Sequence, residues 1–540
     1  MREAKDELPA AARKITSAVK ELISIPRNST REIPTQNTPK GLPKTVPSLC
    51  PDCRRPVDAT LFEEDGQVFI RKRCPDHGDF KDLFYRHADM YLKMEQWSFA
   101  DMEGIENPIT KPAAGCPNDC GLCAAHISTA CMTIIDLTNR CNLTCPYCFA
   151  NANVAGFDYT VTREQITHML ETIRDVKPQR CKTIQFSGGE PTIHPDFLWA
   201  VSEVKRVGFP YAIAATNGIT LGTDPAFAEQ AKAAGLDAVY LQFDGTDDTV
   251  LEQTRGARLS ALKRACIEHC RRTGIRVVLV PTLVTGVNDH QIGDIVRTGI
   301  EALDVVNGIS FQPVSFTGRI PYEERMEKRF TSSDLAFAVQ EQTGIAEAMR
   351  DWYPLSFVSP LSRMMEALSG RSIMTISCHS DCGIGCYLIV NPEGEAYPIT
   401  RFIDLEGAMT ELCQLSGKLR NFLQRPMFLA QAIRIIRKYY RQKNAPPDFT
   451  FGDFMGALAP TLIRSRSAVG KRRRWRFLIL LGMHFQDLYN FNIDRVKRCV
   501  IHYAAPDGRI YPFCTYNSGP LYRERIERRY SKPVPEHRRE

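Results

Sequence analysis

Residues 133–150 read TIIDLTNRCNLTCPYCFA. The stretch Thr133–Leu137 is short, apolar and rich in β-branched residues, which predicts a buried strand. It runs directly into Cys141, Cys145 and Cys148, spaced C-x3-C-x2-C. Three thiolates this close in sequence can hold three corners of a cubane iron–sulfur cluster. Bacterial ferredoxin runs use similar spacings but supply a fourth cysteine, and here the fourth iron has no local protein ligand. An open position on a metal is where a reacting molecule binds, as in catalytic zinc sites. On three cysteines alone, a structural zinc knuckle competes with that interpretation.

Downstream, five more strands are expected, at Thr183–Phe186, Tyr211–Ala215, Ala238–Phe243, Arg276–Val284 and Gly308–Gln312. Helical patterns at 162–175, 196–207, 225–234, 259–273 and 290–302 alternate with them. Six such repeats predict an α/β fold, a partial (β/α)6 TIM-like barrel over 132–345, with its chemistry at the carboxyl ends of the strands. The second strand ends in Ser187-Gly188-Gly189-Glu190-Pro191. Paired glycines allow close backbone approach there, and Glu190 can offset an ammonium charge. The third strand ends at Asn217 and the fourth at Asp244, each a polar contact or a turn residue.

The C-x3-C-x2-C motif, with Tyr147 before its last cysteine, and the GGEP turn one strand later resemble the radical S-adenosylmethionine (SAM) superfamily. The resemblance implies a catalytic 4Fe–4S cluster on Cys141, Cys145 and Cys148 whose open iron binds SAM. Reduction then cleaves SAM to methionine and a 5′-deoxyadenosyl radical, which abstracts a hydrogen atom. An electron donor such as ferredoxin or flavodoxin follows as a partner. The resemblance assigns Tyr147, Ser187, Gly188, Gly189, Glu190, Asn217 and Asp244 to cofactor or substrate contacts.

Other cysteines form groups of their own. Cys50-x2-Cys53 with Cys74 looks like a zinc-ribbon or rubredoxin-like knuckle holding one zinc or iron, with His77 the nearest fourth ligand, in a small domain at 49–105. Cys116, Cys120 and Cys123, within an auxiliary-cluster segment at 106–131, repeat the catalytic spacing without a leading strand. They suit an auxiliary iron–sulfur cluster, or zinc, with Cys131, His126 or a distant cysteine completing it. Cys382, Cys499 and Cys514, completed by Cys378 or Cys386, suit a second auxiliary cluster in an α-rich C-terminal domain at 346–540. Cys181, Cys266 and Cys270 fit ordinary buried thiols.

The order of these motifs, through GEAYPITRFIDLEG to CVIHYAAPDGRIYPFCTYN, resembles the tetraether lipid synthase family, members of which are also described as 7,8-dihydro-6-hydroxymethylpterin methyltransferases. For the lipid synthases it implies carbon–carbon coupling of hydrocarbon chains, with a carbon radical held on an auxiliary-cluster sulfur. The principal expectation is therefore a lipid substrate. Pterin C-methylation and peptide modification are the alternatives.

Bulk properties bound these readings. The 540 residues carry 19 cysteines and a net charge of +7, with 43% hydrophobic content. Clustered cysteines without a signal-type apolar segment point to metal ligation in a reducing cytosol. A helix is expected at 1–25, followed by a linker to residue 48. Lys471-Arg472-Arg473-Arg474-Trp475-Arg476 precedes Phe477–Met483 (FLILLGM), and 421–442 reads as a basic amphipathic helix. Both suit peripheral contact with an anionic inner membrane face, or a core helix with a solvated basic side. No nucleic-acid reader motif appears.

Overall fold

The computed structural model describes residues 40–99, 104–153, 155–369, 376–416, 425–462, 474–520 and 522–533. The expected helix at 1–25 and Lys471–Arg473 lie outside the described residues.

The first unit is an antiparallel meander of β1 (Lys44–Leu49), β2 (Pro56–Glu64), β3 (Gln67–Cys74) and β4 (Gly78–Tyr85), in that spatial order. The linker expected to run to residue 48 therefore ends sooner. Val46 and Leu49 are buried, and Lys44–Leu49 pairs residue for residue with Pro56–Leu61, which makes this stretch a strand.

The barrel strands are β5 (Met132–Thr138), β6 (Thr183–Gly188), β7 (Tyr211–Thr216), β8 (Leu236–Gln242), β9 (Arg276–Val280) and β10 (Val306–Pro313). Each pairs in parallel with the next. Ile135, Leu137, Ile184, Phe186, Val239, Leu241, Val277 and Leu279 pack into the main core. Sequence-coded caps fix the helices between them. Thr162 and Gln165 form a reciprocal capping box at the start of Arg163–Arg174. Asp224 and Pro225 open Pro225–Ala234, which Gly235 closes at φ 107°.

Residues beyond 346 do not form a separate helical unit. They supply β11 (Gly383–Val390), β12 (Arg476–Met483), β13 (Ile501–Ala504) and β14 (Ile510–Pro512) to the same sheet. β12 extends one edge, parallel to β10 and antiparallel to β11. β13 extends the other, parallel to β5 and antiparallel to β14. The barrel thus stays open, with C-terminal strands on both margins.

This placement corrects the membrane-surface expectation for FLILLGM. The stretch is a strand within the sheet, with Leu478 and Leu480 fully buried. A strand packed on one face and lining an interior on the other reads as a continuous apolar run. Trp475 is likewise interior, 5% exposed, with its ring 4.8 Å from that of Phe449. The expected helix at 421–442 is observed at Arg425–Tyr439, with Phe428 and Ala432 in a core cluster. No helix among the described residues is long and apolar enough to cross a membrane.

Candidate functional site

The loop after β5 carries Cys141, Cys145 and Cys148, all half-buried. Distant segments brace its backbone. Asn153 closes it from within, accepting from the Cys141 amide at 2.8 Å and donating to the carbonyls of Cys141 and Leu143 at 2.8 and 3.0 Å. The Arg319 guanidinium donates to the Cys145 carbonyl at 3.0 Å, and its amide donates to the Cys148 carbonyl at 3.1 Å. Gly318 (φ 66°) makes this approach: a Cβ there would meet the Phe149 carbonyl oxygen at 2.3 Å.

Gly188 and Gly189 do allow a close approach, but to this loop itself. A Cβ on Gly188 would meet the Thr138 carbonyl oxygen at 2.2 Å, and one on Gly189 that of Arg140 at 2.2 Å. The amides of Gly189 and Glu190 donate to those same carbonyls at 2.7 and 2.9 Å. The GGE turn is therefore the floor on which the cysteine loop rests.

Glu190 is 1% exposed. Its carboxylate accepts from Thr192 N and Oγ1, Thr216 Oγ1 and the Asn217 amide at 2.6–3.1 Å. Burial pushes its pKa up, and these bonds oppose the shift. Glu190 thus ties the ends of β6 and β7 together. Asn217 donates to Asn142 Oδ1 at 2.6 Å and lies 3.9 Å from Cys141 Sγ. Lys263 is fully enclosed and donates to the Asn217 carbonyl at 2.5 Å; burial lowers its pKa to about 8.

Asp244 is buried against Arg255. Arg255 reaches Asp244 Oδ1 at 2.9 Å, Thr282 Oγ1 at 3.1 Å and the Tyr147 carbonyl at 3.1 Å. Its charge also offsets the burial that raises the Cys145 pKa. Asp244, expected to face cofactor or substrate, is instead the anchor of a guanidinium that holds the cysteine loop. The Tyr147 side chain packs against Val284, Val314, Phe316 and Ile320, and Ser187 sits beside Asp136 in the β5–β6 register.

The loop fits an iron–sulfur cluster. Its three thiols sit on one braced turn, and the Leu143 amide points at Cys141 Sγ at 3.4 Å. Burial pushes the Cys141 thiol up to about 12.

The N-terminal site is tighter. Cys50, Cys53, Cys74 and His77 place one ligand atom each within 4.8 Å of one another. Cys50 and Cys53 lie on the turn after β1, Cys74 ends β3, and His77 lies on the turn between β3 and β4. Three sulfurs and an imidazole nitrogen this close suit one tetrahedral ion.

Two further cysteine groups assemble around β13 and β14. Cys116, Cys120 and Cys123 line a small cavity with His126. His126 is buried, which lowers its pKa to about 4, and its Nε2 lies 2.9 Å from the Cys499 carbonyl and 3.1 Å from His502 Nε2. Cys378, Cys382, Cys499 and Cys514 belong to one hydrophobic cluster, which also takes in Cys116, Cys120 and Cys131. A hydrogen bond from Cys378 and the Arg495 guanidinium hold the Cys382 thiol down, at about 5. Cys386 lies apart, in the main core, so Cys378 is the one that joins this set. Cys181, Cys266 and Cys270 are core thiols, as expected.

The radical SAM superfamily pattern matches residues 135–299, and the HMPTM N-terminal zinc ribbon domain matches residues 42–86. A 7,8-dihydro-6-hydroxymethylpterin dimethyltransferase of Methanocaldococcus jannaschii is 41% identical over 500 residues, covering 92% of this chain and 97% of that protein. A probable GTP 3′,8-cyclase of Pyrococcus abyssi is 31% identical over 166 residues, covering 30% of this chain and 51% of the cyclase. Among solved structures, methylornithine synthase aligns with a TM-score of 0.33 at 16% identity, over 43% of this chain and 66% of that one.

Proposed function

Because the chain belongs to the radical SAM superfamily, in the family of the 7,8-dihydro-6-hydroxymethylpterin dimethyltransferase, we propose that it is a radical SAM methyltransferase acting on a small pterin-type heterocycle. The observation that carries this reading is the relative's match along nearly its whole length, over 92% of this chain. The cluster and SAM, when bound, supply a 5′-deoxyadenosyl radical for hydrogen abstraction. Cys141, Cys145 and Cys148 would hold that cluster.

The chain's own residues prepare the site. Arg255, Arg319 and Asn153 fix the backbone carbonyls and amides of the loop, so the three thiols keep one mutual arrangement. Glu190 locks the Asn217 amide and thereby sets Asn217 beside Cys141. The zinc ribbon is bound to the barrel through ions: buried Arg329 bridges Asp82 of β4 and Asp487 after β12. An external one-electron reductant is the expected partner.

A second reading, coupling of lipid hydrocarbon chains, has no support from the relatives and one structural point in its favour. The half-buried face of β12 toward the barrel interior is apolar. The test is anaerobic turnover of reconstituted enzyme with SAM, a reductant, 7,8-dihydro-6-hydroxymethylpterin and a dialkylglycerol lipid. Mass spectrometry should show the pterin gaining one or two methylene units. An unchanged pterin beside newly coupled lipid chains would replace the first reading with the second.

A further inference from the structure

Arg495 lies on the short helix Ile493–Lys497, and Arg498 ends it. They are 2% and 3% exposed. Other buried arginines of this chain sit on carboxylates: Arg255 on Asp244, Arg329 on Asp82 and Asp487, Arg523 on Asp136 and Glu527. Among the described residues, no ion pair joins Arg495 or Arg498 to a carboxylate, and Arg495 Nε, Arg498 Nε and Arg498 Nη1 lack a hydrogen-bond partner. The carboxylates that act on Arg498, Asp381 and Asp494, face His379 at 3.3 Å and Lys497 at 3.1 Å. A buried charge is costly to a fold unless an opposite charge meets it.

Sulfur faces these two cations instead. The Arg495 guanidinium reaches the Cys382 thiol and the His484 carbonyl, and the His484 amide donates to the Cys382 carbonyl at 3.0 Å. Arg498 Nη2 donates to the carbonyls of Phe99 and Cys378 at 3.2 and 3.4 Å. Cys378 and Cys382 are hydrogen-bonded to each other, and Cys499 interacts with both Cys382 and Cys514. Two fixed positive charges from one helix thus stand against four thiols.

The donor set fits an iron–sulfur cubane. The Cys50 group draws its ligand atoms within 4.8 Å of one another, and these four sulfurs are spread wider than that. A single ion would pull its sulfurs to about 2.3 Å from one centre. An oxidised 4Fe–4S core on four thiolates is a dianion, and one added electron makes it a trianion. Two guanidinium charges stabilise the second form more than the first. At the catalytic loop, by contrast, Arg255 is matched by Asp244.

We propose that Arg495 and Arg498 are the counter-charges of a cluster on Cys378, Cys382, Cys499 and Cys514, and that they make it a one-electron acceptor, reduced ahead of the catalytic cluster. The electron comes from the external one-electron reductant, which is oxidised as the core gains it, and no bond forms or breaks. The inference rests on this cysteine set and on neither choice of substrate.

The test is an anaerobic redox titration of the reconstituted full chain, followed by electron paramagnetic resonance with iron and zinc analysis. One reductive step should vanish in Cys382→Ser together with its iron. That step should lie at higher potential than the one that vanishes in Cys145→Ala. Arg495→Gln and Arg498→Gln should each make it at least about tenfold less favourable, a shift of about 59 mV to lower potential. Arg495→Lys and Arg498→Lys, which keep the charge, should leave it near the wild-type position. Iron lost from this site in a Gln variant but kept in its Lys counterpart would equally support the counter-charge. Zinc in place of iron on Cys382, an unshifted step in either Gln variant, a Lys variant that behaves as its Gln counterpart, or a step below the catalytic one would each overturn the proposal. Formation of 5′-deoxyadenosine from SAM alongside any of those results would leave the radical SAM reading standing.

Discussion

Phe149 and Phe513 hold their ring centroids 6.0 Å apart, tilted by 36°. Phe149 directly follows Cys148, and Phe513 directly precedes Cys514. One aromatic contact therefore joins the catalytic loop to Cys514, beyond the edge strands β13 and β14 that adjoin β5. Phe485 completes it, stacked on Phe513 at 3.7 Å.

Truncating this contact should loosen both metal sites. Phe513 is 8% exposed, and a buried Phe→Ala change costs about 3–5 kcal/mol. Phe513→Ala is expected to lose stability in that range and to bind less iron per chain on reconstitution. Denaturant melts and iron analysis check both. Wild-type stability in the variant would contradict the packing role.

Arg255 should resist conservative replacement. Its fork bonds Asp244, Thr282 and the Tyr147 carbonyl together, a geometry that a lysine ammonium cannot reproduce. Arg255→Met leaves the buried Asp244 carboxylate unpaired, at a cost of roughly 3–5 kcal/mol. Arg255→Lys should fold but cleave SAM at least about tenfold more slowly, as the loop loses its carbonyl anchor. Wild-type cleavage by Arg255→Lys would remove Arg255 from the site.

Removing the ribbon ion should act locally. Cys53→Ser is expected to lose one zinc per chain and to speed amide exchange in β1–β4. Barrel amides should keep their protection, because docking depends on Arg329 with Asp82 and Asp487 rather than on the ion. Exchange accelerating through β5–β10 as well would refute this division.

Glu527 predicts a pH dependence. It is 4% exposed, and burial raises its pKa from 4.5 to about 7 despite Arg523 at 3.1 Å. Between pH 4.5 and about 7 the folded state keeps a proton that the unfolded chain has released. Stability therefore falls as pH rises through that window, by up to about 3 kcal/mol, and is level above it. Glu527→Gln should flatten the slope of melting temperature against pH between 5 and 7. An unchanged slope would place the titration elsewhere.

Much of this was legible from local patterns. The strand before Cys141, the GGE turn and the Cys50–Cys53–Cys74 knuckle with His77 each lie within a short window where spacing encodes geometry. The braces were not. Arg255, Lys263 and Arg319 act on backbone carbonyls of segments remote in sequence, and an isolated basic residue carries no mark of such a contact. Asp244 and Glu190 stood at the right strand ends, yet their carboxylates are satisfied inside the protein. FLILLGM misled because a strand that is buried on one face and lines an apolar interior on the other has the composition of a membrane-seeking segment. Cys378 and Cys386 looked equivalent, but Cys386 lies within β11 facing the main core, while Cys378 precedes the turn into it.

Cys141, Cys145 and Cys148 would hold the cluster that cleaves SAM. Anaerobically reconstituted protein, given SAM and a strong one-electron reductant, should form 5′-deoxyadenosine, and Cys145→Ala should form none. Equal 5′-deoxyadenosine from Cys145→Ala, or none from the iron-loaded wild type, would contradict it.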